Sequence, residues 1–292
     1  MHQPPNIQIV VVSYRNNKEL ISFLEHLADH PSVDRLRITA VANGLATTEV
    51  EALRVASAKS MPERLTLIAG AQNPGYFGGA SLGLKQTTAS SQTDWVIVTN
   101  DDIRFDADFF IRLAALPRSA DVGVIAPDIF VPGTGLHQNP LYAEKPSFRR
   151  LRTLLWLHRH PLIMRLFMGL REIRQLRRRR RPTTTPKESF PVYAPHGACI
   201  VFSRHYFTAG GTLDYPCFLY GEEFFVAETA RRLRLAVRVE PALRVKHFEH
   251  SSTGLLVPAA MARHMHHSLS FILSEYFTRS AARSNETTTC AS

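Results

Sequence analysis

The segment Ile7–Val12 restricts the fold more than any other part of the sequence, because five of its six residues are isoleucine or valine. Such a run is typical of a strand in a parallel sheet that other elements cover on both faces. Strand and helix patterns then alternate, which predicts an α/β fold with a mostly parallel central sheet flanked by helices. The other elements predicted in this region are a helix over Leu20–Leu27, strands over Arg37–Ala42, Leu65–Ala69 and Trp95–Thr99, and helices near Val50–Ala58 and from about Gly78.

Changes in composition divide the chain into four predicted stretches. Residues 144–190 are basic, amphipathic and interrupted by prolines, and they separate residues 1–143 from residues 191–278. We expect the two flanking stretches to be halves of one domain, and residues 279–292 to be a frayed polar tail. The elements predicted after the basic stretch are a strand over Val192–Phe202, a helix over Glu222–Arg234, an extended segment over Val237–His247 and a helix over Pro258–Phe277.

The positive charge is concentrated in one segment. The net charge is +10, and Arg149–Arg181 contributes +11 through twelve arginines and one glutamate, which leaves about −1 for the rest of the chain. Within this segment Leu162, Leu166, Leu170 and Ile173 share one helical face. A basic amphipathic helix of this kind lies on anionic membrane surfaces, so we expect peripheral membrane docking. The alternative is a helical hairpin that packs on the domain and exposes its arginines to water.

A nucleic-acid-binding protein is a competing interpretation of the same charge. Arg177–Arg181 could neutralise phosphates. The charge is confined to this one segment, however, and no nucleic-acid-binding motif accompanies it. The membrane interpretation is therefore favoured.

The cysteines and the hydropathy pattern indicate the compartment. Cys199, Cys217 and Cys290 are odd in number and widely spaced, so neither a disulfide framework nor a structural zinc site is expected. We find no signal-peptide pattern and no apolar run of the roughly 18 to 20 residues that a spanning helix needs. We therefore expect a cytoplasmic protein that acts at the inner face of the cell membrane.

An acidic turn, Asn100-Asp101-Asp102, follows the predicted strand Trp95–Thr99. Ligands of open parallel sheets bind beyond the carboxyl ends of the strands, where this turn is predicted to lie. Oxygen ligands at such a place suit Mg²⁺ or Mn²⁺, with the phosphates of a substrate completing the coordination shell. The alternative is an Asx turn that caps a helix starting near Asp106.

Glycines at positions 75, 78, 79 and 83 lie in the segment Asn73–Gly83. They permit close backbone approach, and a helix that begins there would offer free N–H groups to an anion. The alternative is a simple strand-to-helix turn. The segment has neither the lysine of a P-loop nor the spacing of a dinucleotide-binding motif.

Two further groups have side chains suited to catalysis or metal binding. Glu222 and Glu223 follow an aromatic run, and they suit a general base in a desolvated cleft or, alternatively, acids favoured by a helix dipole. His247 and His250 follow an extended segment, where a histidine is either a metal ligand or an ordinary structural residue.

The order of these motifs resembles that of family 2 glycosyltransferases with the GT-A fold, particularly bacterial rhamnosyltransferase-like members. The resemblance covers residue 7 to about residue 252. The motifs that carry it are VVVSYRN at 10–16, VANG at 41–44, NPGYFGGASLG at 73–83, TNDDI at 99–103, GAC at 197–199, FLYGEE at 218–223 and VKHFEHSS at 245–252.

The resemblance implies a role for each matching position. Residues 1–143 would be the nucleotide-sugar-binding half and residues 191–278 the acceptor side. The catalytic residues would be Glu223, as the base, and its neighbour Glu222. The ligands of a divalent cation would be Asn100, Asp102 and His247. The donor-binding residues would be Tyr14, Arg15, Asn43, Asn73, Gly75, Gly78, Gly79, Asp101, Gly197 and Ala198.

The implied activity is inverting transfer of a sugar from a nucleotide-diphosphate donor, either dTDP-rhamnose or a UDP-hexose. The acceptor would be a saccharide or lipid-linked saccharide in cell-surface polysaccharide synthesis. Three positions depart from the family pattern: Ala42 and Glu223 stand where aspartate is usual, and Ser81 where asparagine is frequent. A nucleotidyltransferase that forms sugar nucleotides is a further alternative, but the segment SYRNNKEL lacks the glycine-rich loop expected of that class.

Overall fold

The computed structural model describes residues 7–60, 63–86, 93–159, 188–249 and 259–278. These residues form a single sheet of ten strands. The strands are β1 (Ile7–Tyr14), β2 (Leu36–Asn43), β3 (Leu65–Gly70), β4 (Trp95–Asn100), β5 (Ile103–Phe105), β6 (Val122–Val131), β7 (Leu136–His137), β8 (Phe190–Val192), β9 (Cys199–Ser203) and β10 (Ala236–His247). Eight of them follow the order β3-β2-β1-β4-β9-β6-β10-β5, while β7 pairs with β6 and β8 with β10.

The first half of the sheet is parallel, as predicted. β1 lies between β2 and β4 and pairs with both in parallel. Its alternate side chains belong to two hydrophobic cores, with Ile9 and Val11 in one and Val10 and Val12 in the other. Coverage on both faces is the physical reason for the nearly continuous apolar run.

The second half of the sheet is mixed. β9 runs antiparallel between β4 and β6, β6 and β10 are parallel, and β5 closes the edge antiparallel to β10. The prediction of one strand over Val192–Phe202 is wrong, because β8 ends at Val192 and β9 begins at Cys199. Pro195 and Gly197 lie in the interruption. The two strands pair with different partners, β8 with β10 and β9 with β4.

The described residues also form eight α-helices, which cover the sheet or, in the case of the fifth and the eighth, pack on each other. They are α1 (Asn17–Ala28), α2 (Thr47–Ser60), α3 (Tyr76–Gln86), α4 (Phe109–Ala115), α5 (Phe148–Arg159), α6 (Arg204–Thr208), α7 (Glu222–Arg232) and α8 (Ala259–Ile272), which a π-helical segment (Leu273–Thr278) continues. α1 and α4 contribute to the core on one face, whereas α3, α7 and α8 contribute to the core on the other. The α/β fold predicted from the sequence is confirmed.

The basic segment is described only in part. Its first residues, from Arg149 to Arg159, belong to α5, and residues 160–187 lie outside the described residues. The predicted apolar face (Leu162, Leu166, Leu170 and Ile173), the cluster Arg177–Arg181, His250 and the predicted tail 279–292 all lie outside them as well. No helix of the described residues has both the length and the apolar character needed to cross a membrane.

Candidate active site

The register of the parallel strands brings three predicted loops to the same edge of the sheet. Tyr14 pairs with Asn43, and Asn100 pairs with Val12, so β1, β2 and β4 end side by side. A cavity of about 430 Å³ opens beyond these ends. It is lined by Val12, Ser13, Tyr14, Asn43, Asn73, Gly75, Tyr76, Asn100, His196, Gly197, Ala198, Phe218, Leu219, Tyr220, Glu222 and Glu223.

An exposed aromatic ring lies at the mouth of this cavity. Tyr14 is 52% exposed, and the Arg15 guanidinium lies 5.3 Å from the centre of its ring. Arg15 has a left-handed backbone, with φ of 51°, and its Nε donates to the Gly44 carbonyl at 3.3 Å. Gly44 leaves room for the ring, because a Cβ there would lie 2.6 Å from it. An accessible aromatic face held in this way suits stacking on a nucleobase.

Asn43 contributes a buried amide at the end of β2. The residue is only 5% exposed, and its Nδ2 makes no hydrogen bond within the described part of the chain. A buried donor of this kind costs free energy unless a ligand or solvent accepts from it. Asn43 therefore offers a donor at the wall of the cavity. Its neighbour Ala42 is also buried and has no polar side chain to offer.

The glycine-rich segment shapes the next wall. Asn73 Oδ1 accepts from the Gly75 N–H at 3.0 Å, and Gly75 has φ of +84°. A Cβ at Gly75 would lie 1.9 Å from the Phe218 carbonyl oxygen, so only glycine fits there. Gly78 and Gly79 do not line this cavity. A Cβ at Gly79 would lie 3.0 Å from Val12 on β1, and the Gly79 N–H donates to the Gly75 carbonyl at 2.9 Å, so Gly79 lets α3 pack closely on the sheet. Gly78 lines a neighbouring cavity that Asn43 also lines.

The acidic turn is divided between two environments. Asn100 faces the cavity, whereas Asp101 accepts from the Ser13 hydroxyl at 2.5 Å. Burial raises the pKa of Asp101 to about 6, and the charge of Asp102 acts in the same direction. The turn is followed by β5, and the next helix begins at Phe109. The alternative interpretation, an Asx turn that caps a helix starting near Asp106, is therefore wrong.

Asp102 meets His247 across the junction of β5 and β10. The antiparallel pairing places His247 opposite Ile103, and His247 Nε2 lies 3.2 Å from Asp102 Oδ2. His247 Nδ1 lies 2.7 Å from Gln138 Oε1. A carboxylate oxygen and an imidazole nitrogen that converge in this way are a ligand set suited to Mg²⁺ or Mn²⁺.

The protein would supply few ligands to such a metal ion. Among the described residues no group of three or more His, Cys, Asp or Glu side chains is arranged to hold a metal ion. Asp102 and His247, with the Asn100 side chain nearby on the same turn, therefore fit a cation only if a substrate supplies the other ligands. That is the usual way in which diphosphate-bound cations are held.

Glu222 and Glu223 open α7 on the opposite side of the cavity. Burial raises the pKa of both carboxyl groups, and that of Glu222 rises to about 8, with the charge of Glu223 as the second cause. Backbone hydrogen bonds at Glu223, Gly197 and Gly221 favour the ionised form of Glu223 and oppose its shift. The side chain of Glu222 is buried, whereas that of Glu223 is half-buried and closer to solvent. At neutral pH we therefore assign the proton of the pair to Glu222 and the negative charge to Glu223.

Gly197 and Ala198 connect the acidic pair to the acidic turn. The Asn100 N–H donates to the Ala198 carbonyl at 3.0 Å. A Cβ at Gly197 would lie 2.7 Å from Glu223 Oε1, so the loop passes directly against the carboxylate. This close approach explains why the sequence has glycine at that position.

Sequence reasoning missed several residues of the site. The Tyr76 hydroxyl donates to the Gly197 carbonyl at 2.8 Å, which fixes the loop against α3. His196 lines the cavity, and burial lowers its pKa to about 4, so it is neutral at pH 7. Gln138 contacts His247 from 109 residues away. His196 adjoins the motif at 197–199 and Tyr76 lies in the motif at 73–83, so both could have been found there, whereas Gln138 carries no local signal.

Solved structures with a related fold are glycosyltransferases. GalNAc-T7, solved with UDP, GalNAc and Mn²⁺, aligns with a TM-score of 0.58 at 12% identity over 85% of this chain and 44% of its own. Mannosyltransferase PcManGT from Pyrobaculum calidifontis, in complex with GDP-Man and Mn²⁺, aligns with a TM-score of 0.51 at 14% identity over 86% of this chain and 59% of its own. S. aureus TarS 1–349 aligns with a TM-score of 0.52 at 11% identity over 94% of this chain and 73% of its own.

At these identities the structural matches show the fold alone, and the chain spans about half the length of the first two proteins. No curated protein sequence matches the chain significantly. A family model, described as glycosyltransferase like family 2, matches residues 4–266. This match covers most of the sequence and includes every strand that builds the cavity. The chain belongs to the glycosyltransferase-like family 2.

Proposed function

We propose that the protein is an inverting glycosyltransferase that uses a nucleotide-diphosphate sugar, with dTDP-rhamnose and UDP-hexoses as the donors to test first. One observation carries this proposal. A single cavity has an exposed aromatic ring and a buried amide on one side, Tyr14 and Asn43, and an ionisable carboxylate on the other, Glu223. Asp102 on the adjoining turn converges with His247 at the end of β10, with 3.2 Å between Asp102 Oδ2 and His247 Nε2.

The donor would bind across the carboxyl ends of the strands. Tyr14 stacks on the base, and Asn43 Nδ2 donates to an oxygen of the nucleoside. Asp102 and His247 would hold a divalent cation, which supplies positive charge to the departing diphosphate when it is bound. Two of the three solved neighbours contain UDP or GDP-Man together with Mn²⁺, which supports a nucleotide-diphosphate donor and a divalent cation without selecting the base.

Glu223 is the base of the proposed reaction. Its carboxylate takes the proton of an acceptor hydroxyl, whose oxygen forms a bond to the anomeric carbon. The bond between that carbon and the diphosphate oxygen breaks, and the diphosphate leaves with the electron pair. A single displacement of this kind inverts the configuration. Glu222 is protonated at neutral pH, so it does not place a second negative charge beside the base.

The test is product formation with a variant that removes the base alone. Glu223→Gln keeps the shape of the side chain, so we expect transfer to fall by about 10²- to 10⁴-fold while nucleotide binding stays. Glu51→Gln on the exposed surface of α2 is the matched control and should change neither quantity. Transfer by Glu223→Gln at nearly the wild-type rate would remove Glu223 from the mechanism.

A lipid-linked saccharide in cell-surface polysaccharide synthesis is the acceptor we propose. α5 contains no acidic residue, and it exposes Trp156 (52%) and Phe148 (38%) on the stripe that also carries Arg152. Leu151 and Leu157 on the other face are buried. An exposed aromatic and cationic stripe suits an anionic bilayer surface, so we propose that the protein acts at the inner face of the cell membrane.

The sequence contains two tryptophans, of which Trp95 is buried and Trp156 is exposed. Tryptophan fluorescence therefore tests this contact directly. Vesicles that contain phosphatidylglycerol should shift the emission to the blue and float with the protein at low salt. The variant Trp156→Ser should float less, while keeping its melting temperature. Absence of flotation would contradict membrane docking. Binding of the protein to RNA that added vesicles do not displace would contradict it as well.

A further inference from the structure

Gln138 and Glu249 form a chain of hydrogen bonds behind His247. Gln138 Oε1 lies 2.7 Å from His247 Nδ1, and Gln138 Nε2 donates to Glu249 Oε1 at 2.6 Å. The Gln138 N–H donates to the Ile129 carbonyl at 2.9 Å, which anchors this residue to β6. The chain therefore joins the end of β7 to the end of β10.

The chain fixes which nitrogen of His247 carries hydrogen. The Gln138 amide presents its NH₂ group to Glu249 and its oxygen to His247 Nδ1. An amide oxygen only accepts, so His247 Nδ1 must be the donor. In the neutral ring Nε2 is then left with a lone pair, and Nε2 is the atom 3.2 Å from Asp102 Oδ2.

A lone pair that faces a carboxylate is the arrangement that a cation requires. When the ring is neutral and no cation is bound, these two acceptors repel each other, whereas both can act as ligands to a bound cation. Partners that hold the other ring nitrogen of a histidine ligand typically change metal affinity by about 10- to 100-fold. Gln138 and Glu249 would act on a bound cation in this way through His247, because neither residue lines the cavity.

We propose that Gln138 and Glu249 are positioning residues that hold His247 in its Nδ1–H form and thereby set the affinity of the site for a divalent cation. This inference rests on the proposed function, since it assumes that Asp102 and His247 bind the metal. Gln138 lies outside every motif of the family resemblance, and Glu249 lies in the motif at 245–252 without an implied role.

The experiment measures Mn²⁺ binding by electron paramagnetic resonance in the presence of UDP. Gln138→Leu removes the acceptor, and we expect Mn²⁺ affinity to fall by about 10- to 100-fold. The double variant Gln138→Glu/Glu249→Gln exchanges the two side chains, and its relocated carboxylate can accept from His247 and from the relocated amide. We expect it to recover wild-type affinity within about threefold, a range well inside the loss predicted for the single variant.

A spectroscopic readout separates tautomer control from packing. In protein labelled with ¹⁵N-histidine, the Nε2 signal of His247, identified by its loss in His247→Gln, should be that of an unprotonated nitrogen. Gln138→Leu should move this signal toward the average of two tautomers. Asp34→Asn, at an 87% exposed side chain at the opposite end of the sheet, is the control that should change nothing.

Each outcome bears on a definite claim. Mn²⁺ affinity of Gln138→Leu equal to that of the wild type would overturn the positioning role and leave the proposed function standing. Loss of affinity in both Gln138→Leu and the double variant would also overturn it, because the hydrogen-bond pattern would then not matter. Absence of Mn²⁺ binding in the wild type would overturn the proposed function and this inference together.

Discussion

Replacement of Glu222 by glutamine tests the protonation of the acidic pair without any substrate. The ordinary pKa of this group is 4.5, and burial followed by the charge of Glu223 raises it to about 8. Between these two values the folded protein keeps a proton that the unfolded chain has lost. The free energy of unfolding must therefore fall as pH rises through this window.

The size of this fall in the free energy of unfolding follows from the shift in the pKa of Glu222. One pKa unit corresponds to about 1.4 kcal/mol, so ionisation of Glu222 costs the folded state up to about 5 kcal/mol above pH 8. Part of this cost is repulsion by Glu223 and is shared by the pair. Glu222→Gln stays neutral at every pH. We expect it to match the wild type near pH 4.5 and to exceed its stability by several kcal/mol above pH 8.

Urea unfolding at about pH 5 and about pH 8.5 measures this difference. Other groups, such as Asp101, titrate in both proteins. Their contributions therefore cancel when the change in the free energy of unfolding with pH is compared between the wild type and Glu222→Gln. Glu51→Gln controls for the loss of one negative charge and should follow the wild type. Parallel pH dependence of the wild type and Glu222→Gln would refute the assignment of the shared proton to Glu222.

Three further predictions concern single positions of the cavity. Gly75→Ala forces a Cβ against the Phe218 carbonyl at positive φ, so urea unfolding should show a loss of at least about 2 kcal/mol. Gly197→Ala pushes a Cβ against Glu223 Oε1, so steady-state kinetics should show kcat lower by about 10²-fold with nucleotide affinity kept. Tyr14→Ala removes an exposed ring, so calorimetry with UDP should show a loss of about 1 to 3 kcal/mol in binding while the melting temperature is unchanged. Unchanged values in these assays would contradict the packing inferred for each position.

The parallel half of the sheet could be predicted because its signals are local. Strands buried on both faces are nearly all apolar, and the segments around Ile7–Val12 and Trp95–Thr99 show this directly. The position of Asn100–Asp102 at a strand end then placed the acidic turn beside the ends of β1 and β2. The rule that ligands bind beyond the carboxyl ends of parallel strands thus placed Tyr14, Asn43 and Asn100 at one edge of the sheet.

The second half of the sheet could not be predicted in the same way. β6 contains Gly123 and Pro127, which argue against a strand in the sequence. In the structure the Pro127 carbonyl accepts from Asn139 Nδ2, and the pairing of β6 with β10 changes register beside it. The pairing of β9 between β4 and β6 is likewise non-local and has no signal in either segment alone.

Long-range contacts explain what sequence reasoning missed in the site. The interval from Tyr76 to Gly197 is 121 residues, and that from Gln138 to His247 is 109. Tyr76 lies in the motif at 73–83, which does not show what its hydroxyl contacts, and Gln138 lies in no motif. Only the fold shows that Tyr76 holds the loop beside Glu223 and that Gln138 contacts the histidine.

Binding of a nucleotide sugar together with Mn²⁺ is the most direct test of the account. A donor at about 100 times its Kd stabilises the folded state by about 2.7 kcal/mol, which raises the melting temperature of a chain of this size by about 5 °C. With Mn²⁺ present, dTDP-rhamnose or a UDP-hexose should produce this shift in the wild type and in Glu223→Gln, but not in Asp102→Ala. If no nucleotide-diphosphate sugar stabilises the wild type with Mn²⁺, the cavity is not a donor site and the central claim is wrong.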